Sequence, residues 1–210
     1  MALHRYAGML IVVFLAAQVA MQHTAAQEQV ADELETLKIG EKAKDIQLQP
    51  LVGKKVKLSA LTKQGPVVLA VLRGFPGYQC PACMRQTDEL QKHAKEFKEL
   101  GAKVVLVYPG PAKDLKKRAE EFLKGKKLPD PLMLVLDPEY QFTVEYGLRW
   151  EAPAETAYPS TFVLDSNRVV RFRKVSLTHG DRAKAKDLLA ALRAMRAAES
   201  EKGREIPQAR

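Results

Sequence analysis

The chain has 210 residues, 46% of them hydrophobic, enough for one domain with a real core plus appendages. Its net charge is +9, but the positive residues are scattered: from Lys113 to Lys127 the lysines interleave with Asp114, Glu120 and Glu121, as on a solvated helix face. Aromatic and basic side chains do not alternate as single-strand binding requires, so nucleic acid is set aside as a partner.

Residues 1–26 read as a signal peptide. His4 and Arg5 precede an apolar run from Ala7 to Ala17, broken by Gly8, and Thr24-Ala25-Ala26 makes a small-residue cleavage site before Gln27. The run is short for a membrane span, so membrane contact is expected only where the segment stays uncleaved. The expected location is therefore periplasmic or secreted. Residues 27–36 form a polar leader, 37–198 the domain, and 199–210 a polar tail.

Within the domain, Gly40 to Leu61 alternates in short runs with turn signals at Pro50 and Gly53, predicting a small N-terminal β-hairpin with a helical turn over Ser59 to Lys63. Pro66 to Leu72 is nearly continuously apolar, as a strand buried on both faces should be. A helix from Cys80 to about Leu100 follows, ended by Gly101, then a strand over Val104 to Tyr108 and a turn at Pro109-Gly110-Pro111. Next come a helix from Ala112 to Leu123 and a strand from Leu132 to Leu136. Asp137-Pro138 starts a short helix through Tyr146. Thr161 to Leu164 and Val169 to Lys174 are expected to pair antiparallel. Asp181 is expected to cap a final helix through about Ala198. Alternating strands and helices make the class α/β with a central mixed sheet.

Both cysteines, Cys80 and Cys83, sit where the first buried strand passes through a Pro/Gly turn into a helix. Pro81 suits the first helical position, which makes Cys80 the cap and puts Cys83 in the first turn. Free N–H groups and the helix dipole favour an anion there, and the thiolate is the reactive form of cysteine. In an exported protein such a pair forms a disulfide, but so small a loop yields little chain-entropy stabilisation. A redox-active pair, closely placed and openly presented, is the better reading. Zinc would need two further ligands, and His93 and His179 do not supply zinc-finger spacing, so neither metal nor cofactor is expected. Both histidines read as ordinary polar side chains, and Tyr78 and Trp150 as rim packing.

The element order resembles the thioredoxin fold, and residues from about Leu37 to Ala197 are similar to the alkyl hydroperoxide reductase / thiol-specific antioxidant family, its peroxiredoxin-like branch. The likeness is carried by the hairpin, by the frame Pro76-x-x-x-Cys80-x-x-Cys83-x-x-Gln86, by Leu136-Asp137-Pro138 with Tyr146-Gly147, and by Ser160-Thr161-Phe162-Val163-Leu164-Asp165. The resemblance implies Cys83 as the peroxidatic thiol and Pro76 as its shielding proline. Cys80 stands where that family has Thr or Ser. In thioredoxin-like disulfide reductases the same places read Cys-x-x-Cys, which implies attack by Cys80 and resolution by Cys83. Before the Phe162 strand, where peroxiredoxins bring an arginine, this chain has Ala157-Tyr158-Pro159, and Pro159 matches the cis-proline of thioredoxins. Arg73, with Arg85 as a substitute, is the candidate for the missing cation.

The leading reading is an exported thiol oxidoreductase that cycles Cys80 and Cys83 between dithiol and disulfide and exchanges protein or small-molecule disulfides, with Pro159 positioning the partner. The alternative is a thiol-dependent peroxidase in which Cys83 becomes a sulfenic acid and Cys80 resolves it. Either cycle needs a thiol electron donor. A second alternative, from another class, is a soft-metal carrier or a redox-silent binding module.

Overall fold

The structure is a computed structural model that describes residues 34–205, with side chains to residue 201. The signal segment, most of the leader and the last five residues lie outside the described residues. No helix among the described residues is long and apolar enough to cross a membrane.

Among the described residues seven strands form one sheet in the order β2-β1-β5-β4-β3-β6-β7. The strands are β1 (Gln47–Pro50), β2 (Val56–Lys57), β3 (Val67–Val71), β4 (Lys103–Gly110), β5 (Leu132–Pro138), β6 (Ser160–Leu164) and β7 (Val170–Val175). β3, β4 and β5 run parallel, while β6, β7, β1 and β2 join antiparallel. Every residue of β3 is buried, as a continuous apolar run at the centre of a two-sided sheet must be. The expected hairpin is β1/β2, paired Gln47 with Lys57 and Leu48 with Val56. It is followed by α1 (Leu58–Thr62).

The expected helix from Cys80 is two helices, α2 (Pro81–Lys92) and α3 (Ala94–Glu99). The break is His93, whose N–H reaches back three residues to Leu90 O at 3.2 Å, a tighter step than the α-helix allows. The expected Pro109-Gly110 turn is instead the end of β4, paired with Asp137 and Pro138. Val107 O receives Leu72 N–H, so Val107 and, two residues on, Pro109 face the β3 side. There β3 has already turned away, and the missing N–H of Pro109 goes unneeded. The following helix, α4 (Leu115–Leu123), starts three residues later than expected because Asp114 is left-handed at φ 61°.

Asp137 is buried at the end of β5 and accepts the Phe142 and Thr143 N–H groups at 2.6 and 3.1 Å, which anchors α5 (Gln141–Glu145). The last helix, α6 (Ala185–Glu205), runs beyond Ala198 into the expected tail, through a sequence rich in Ala, Glu and Lys. Asp181 does not cap it. Glu89 of α2 accepts the Ala185 N–H at 2.8 Å, and Asp181 pairs with Lys174 instead.

Candidate functional site

The two cysteines lie at the carboxyl end of β3, where α/β sheets place their ligands. β3 leads through residues 72–79 into α2. Gly74 has φ +69°, and a Cβ there would meet Pro109 O at 1.9 Å, so only glycine lets the loop cross the end of β4 this closely. Cys80 is the N-cap of α2 and its sulfur accepts the Cys83 N–H at 3.3 Å, with Pro81 following as expected.

Cys83 Sγ receives two further donors at 3.3 Å: the Arg73 backbone N–H and Nη2 of Arg182. The same Nη2 stands 3.8 Å from Cys80 Sγ. Arg182 is held by Gln86 Oε1 on Nη1 at 2.9 Å and by His179 O on Nε at 3.0 Å. Both cysteines are free thiols.

The pair titrates as a unit. The hydrogen bond from the Cys83 side chain, then the Cys83 N–H and the Arg182 and Arg73 charges, lower Cys80 to about 5 against the opposing effect of burial. Burial, with the neighbouring Cys80, pushes the Cys83 thiol up, and Arg182 opposes this. One proton therefore leaves easily and the other is held.

Not every expected role survives. Arg73 is at the site, but its guanidinium hydrogen-bonds elsewhere: Nε to Glu155 at 2.7 Å, Nη1 to Tyr78 OH at 2.5 Å and Nη2 to Ala154 O at 2.6 Å. What Arg73 bonds to the thiols is its backbone N–H, its charge acting on Cys80 only through space, and the guanidinium hydrogen-bonded to the sulfurs belongs to Arg182. Pro159 is buried one residue beyond the Val71–Ser160 pair, at the cysteine end of the sheet, but its peptide bond is trans. Among the described residues the cis bond is Asp130–Pro131. Tyr158 N–H bonds Leu148 O, and Pro159 O accepts the Ser176 N–H, so an extended trans chain carries the β6–β7 ladder straight through this position. Pro76 sits half-buried in the loop before Cys80.

The expected open presentation is also corrected, since Cys80 is 2% and Cys83 1% exposed. The sulfurs join the apolar cluster beneath α2, and Arg182 meets both. A guanidinium this close to both sulfurs repels a bound cation, which disfavours the soft-metal reading.

Sequence reasoning overlooked Arg182 and Glu155, and gave His179 no part in the site. Arg182 follows β7 and Glu155 follows α5, and no local pattern marks either. Gln86 was part of the motif frame without a role. His179, read as an ordinary polar side chain, bonds Glu155 through Nε2 at 3.0 and 3.2 Å and packs its ring 5.5 Å from that of Trp150.

A sequence model of the AhpC/TSA family matches residues 39–173. The Mycobacterium tuberculosis protein named "Putative peroxiredoxin Rv1608c" is 30% identical over 163 residues, covering 76% of this chain and 99% of its own length. The crystal structure of peroxidoxin BcpB from Mycobacterium tuberculosis superposes with a TM-score of 0.63 at 26% identity, over 76% of this chain and 98% of that one. A yeast mitochondrial 1-Cys peroxiredoxin shares the fold, with a TM-score of 0.65 at 15% identity over 79% of each chain. With a dithiol at the carboxyl end of β3 and a seven-stranded sheet of this order, the chain belongs to the AhpC/TSA family, the peroxiredoxin-like branch of the thioredoxin fold, and is an oxidoreductase.

Proposed function

We propose that this oxidoreductase reduces a hydroperoxide, with Cys83 as the attacking sulfur and Cys80 as the resolving one. The observation that carries this is the convergence of the Arg182 guanidinium and the Arg73 N–H on Cys83 Sγ, both at 3.3 Å. These are the donors that a peroxide's developing negative charge requires. The trans Pro159 bond also withdraws one support for a peptide-disulfide substrate.

In the resting pair the charge sits on Cys80, and the Cys83 proton passes to it across their hydrogen bond. The Cys83 sulfur then attacks the terminal peroxide oxygen. The O–O bond breaks, an alcohol (or water) leaves with the proton, and Cys83 becomes a sulfenic acid. Cys80, a thiolate again, attacks that sulfur; the S–S bond forms, the S–O bond breaks, and the hydroxide leaves as water with a proton taken from solvent. A thiol reductant returns the disulfide to the dithiol.

Disulfide exchange stays as a second reading because Cys80, lowered to about 5, is a thiolate at neutral pH and is poised to attack. Hydrogen peroxide with dimedone, read by mass spectrometry, separates the two. Cys80→Ser is expected to give the Cys83 adduct, and Cys83→Ser to give none. No adduct in Cys80→Ser, together with a mixed disulfide on Cys80 when a protein disulfide is offered, would sink the peroxidase reading in favour of exchange.

We also propose that the protein acts after export, on the strength of the cleavage pattern at Thr24-Ala25-Ala26. A mature chain beginning at Gln27 is the expected mass; an intact Met1 chain found in the cytoplasm contradicts it.

A further inference from the structure

The two donors that meet Cys83 Sγ come from distant parts of the chain, and both trace back to one carboxylate. Glu155 Oε2 pairs with Arg73 Nε at 2.7 Å, with the two side chains 12% and 3% exposed. The same carboxylate bonds His179 Nε2 at 3.0 and 3.2 Å through its two oxygens. Its neighbours tighten the grip on Arg73: Ala154 O accepts Nη2, and Thr156 Oγ1 donates to the Arg73 carbonyl. On the other side the His179 carbonyl accepts Nε of Arg182, whose Nη2 reaches the sulfurs. The chain of contacts therefore closes on itself, from Cys83 through Arg73 to Glu155, and back through His179 and Arg182 to Cys83.

We propose that Glu155 is a positioning residue for the thiol pair, holding the Arg73 N–H and the Arg182 guanidinium together on the Cys83 sulfur. It touches neither sulfur and acts through the two arginines. This rests on the dithiol chemistry of the preceding reading, but not on peroxide being the substrate.

The sign of the effect makes the idea testable. By charge alone an anion near the pair disfavours the thiolate, so its removal should make the thiols ionise more easily. If Glu155 instead holds the donors in place, its removal loosens them and the thiols ionise less easily. The titratable or charged groups facing the sulfurs are Arg73, Arg182 and Tyr108, whose phenol is raised by burial.

Thiolate absorbance at 240 nm, scanned from pH 3 to 10 on the reduced protein, reads this directly. Glu155→Ala is expected to move the midpoint up by about one unit, about tenfold less thiolate at a fixed pH on that limb. Glu155→Gln keeps an acceptor for Arg73 and is expected to fall between it and the wild type. His179→Ala cuts only the Arg182 side and is expected to give a smaller upward shift. A midpoint that is unchanged or moves down in a folded Glu155 variant, folding being checked by far-ultraviolet circular dichroism, overturns the proposal. Loss of Glu155 strands a buried arginine charge, so should neither Glu155 variant fold, His179→Ala decides: no shift there overturns it equally. No peroxide enters the titration, so a wild-type protein that consumes no peroxide would sink the proposed activity and leave the role of Glu155 still measurable.

Discussion

Two sulfurs within hydrogen-bond reach share one proton more readily than they carry two charges or none. Cys80 and Cys83 do this with unequal partners, because Cys80 sits on the helix N-terminus while Cys83 lies deeper and faces the arginines. The consequence for stability follows from the two directions. Cys80 ionises near 5 in the fold and near 9.0 when free, so between these values the unfolded chain carries a proton that the folded one does not. Stability of the reduced protein therefore rises with pH across that window, and the contribution is lost as pH falls through about 5. Cys83 is raised, so it works against further gain once pH climbs past its free value. Urea unfolding of the reduced protein, compared anaerobically with Cys80→Ser, is expected to show a stability difference that grows from pH 5 to pH 9. A flat difference would mean that the Cys80 thiolate is not held by the fold.

Elements whose limits depend on neighbours in sequence were legible, and those that depend on distant partners were not. The strand–turn–helix around the cysteines rests on Val67–Val71, Gly74, Cys80 and Pro81, all read from one short stretch. The β6–β7 pair was legible for the same reason, since Asn167 turns the buried β6 into a strand that alternates Val170 and Phe172 with arginines. The start of α6 was misplaced because its first N–H is satisfied by Glu89, nearly a hundred residues away, rather than by Asp181. The extension of β4 through Pro109 and Gly110 was missed because proline and glycine usually end strands. Here β3 has already turned off at that level, and β5 runs alongside to the end.

At the scale of the whole molecule, the motif from Arg73 to Gln86 and the turn from Ser176 to Arg182 meet at the thiols, and Glu155 of the stretch from Trp150 to Pro159 bonds to both. Cys80 and Cys83 are 2% and 1% exposed, so reaction with anything large requires this region to open. A bulky maleimide is accordingly expected to label the folded reduced protein about tenfold more slowly, or worse, than the urea-unfolded chain at the same pH, while hydrogen peroxide shows a smaller difference. Equal maleimide rates in the two states would contradict the burial.

The sequence by itself determined the fold class, the family likeness and the place of the reactive pair, because each is written in local patterns: an apolar run, a Pro/Gly turn, a capped helix. Only the tertiary structure decided which cation faces the thiols, that Pro159 is trans and that the pair is covered. Those outcomes depend on side chains and strands brought together from far along the chain, and no short-range spacing encodes such a meeting.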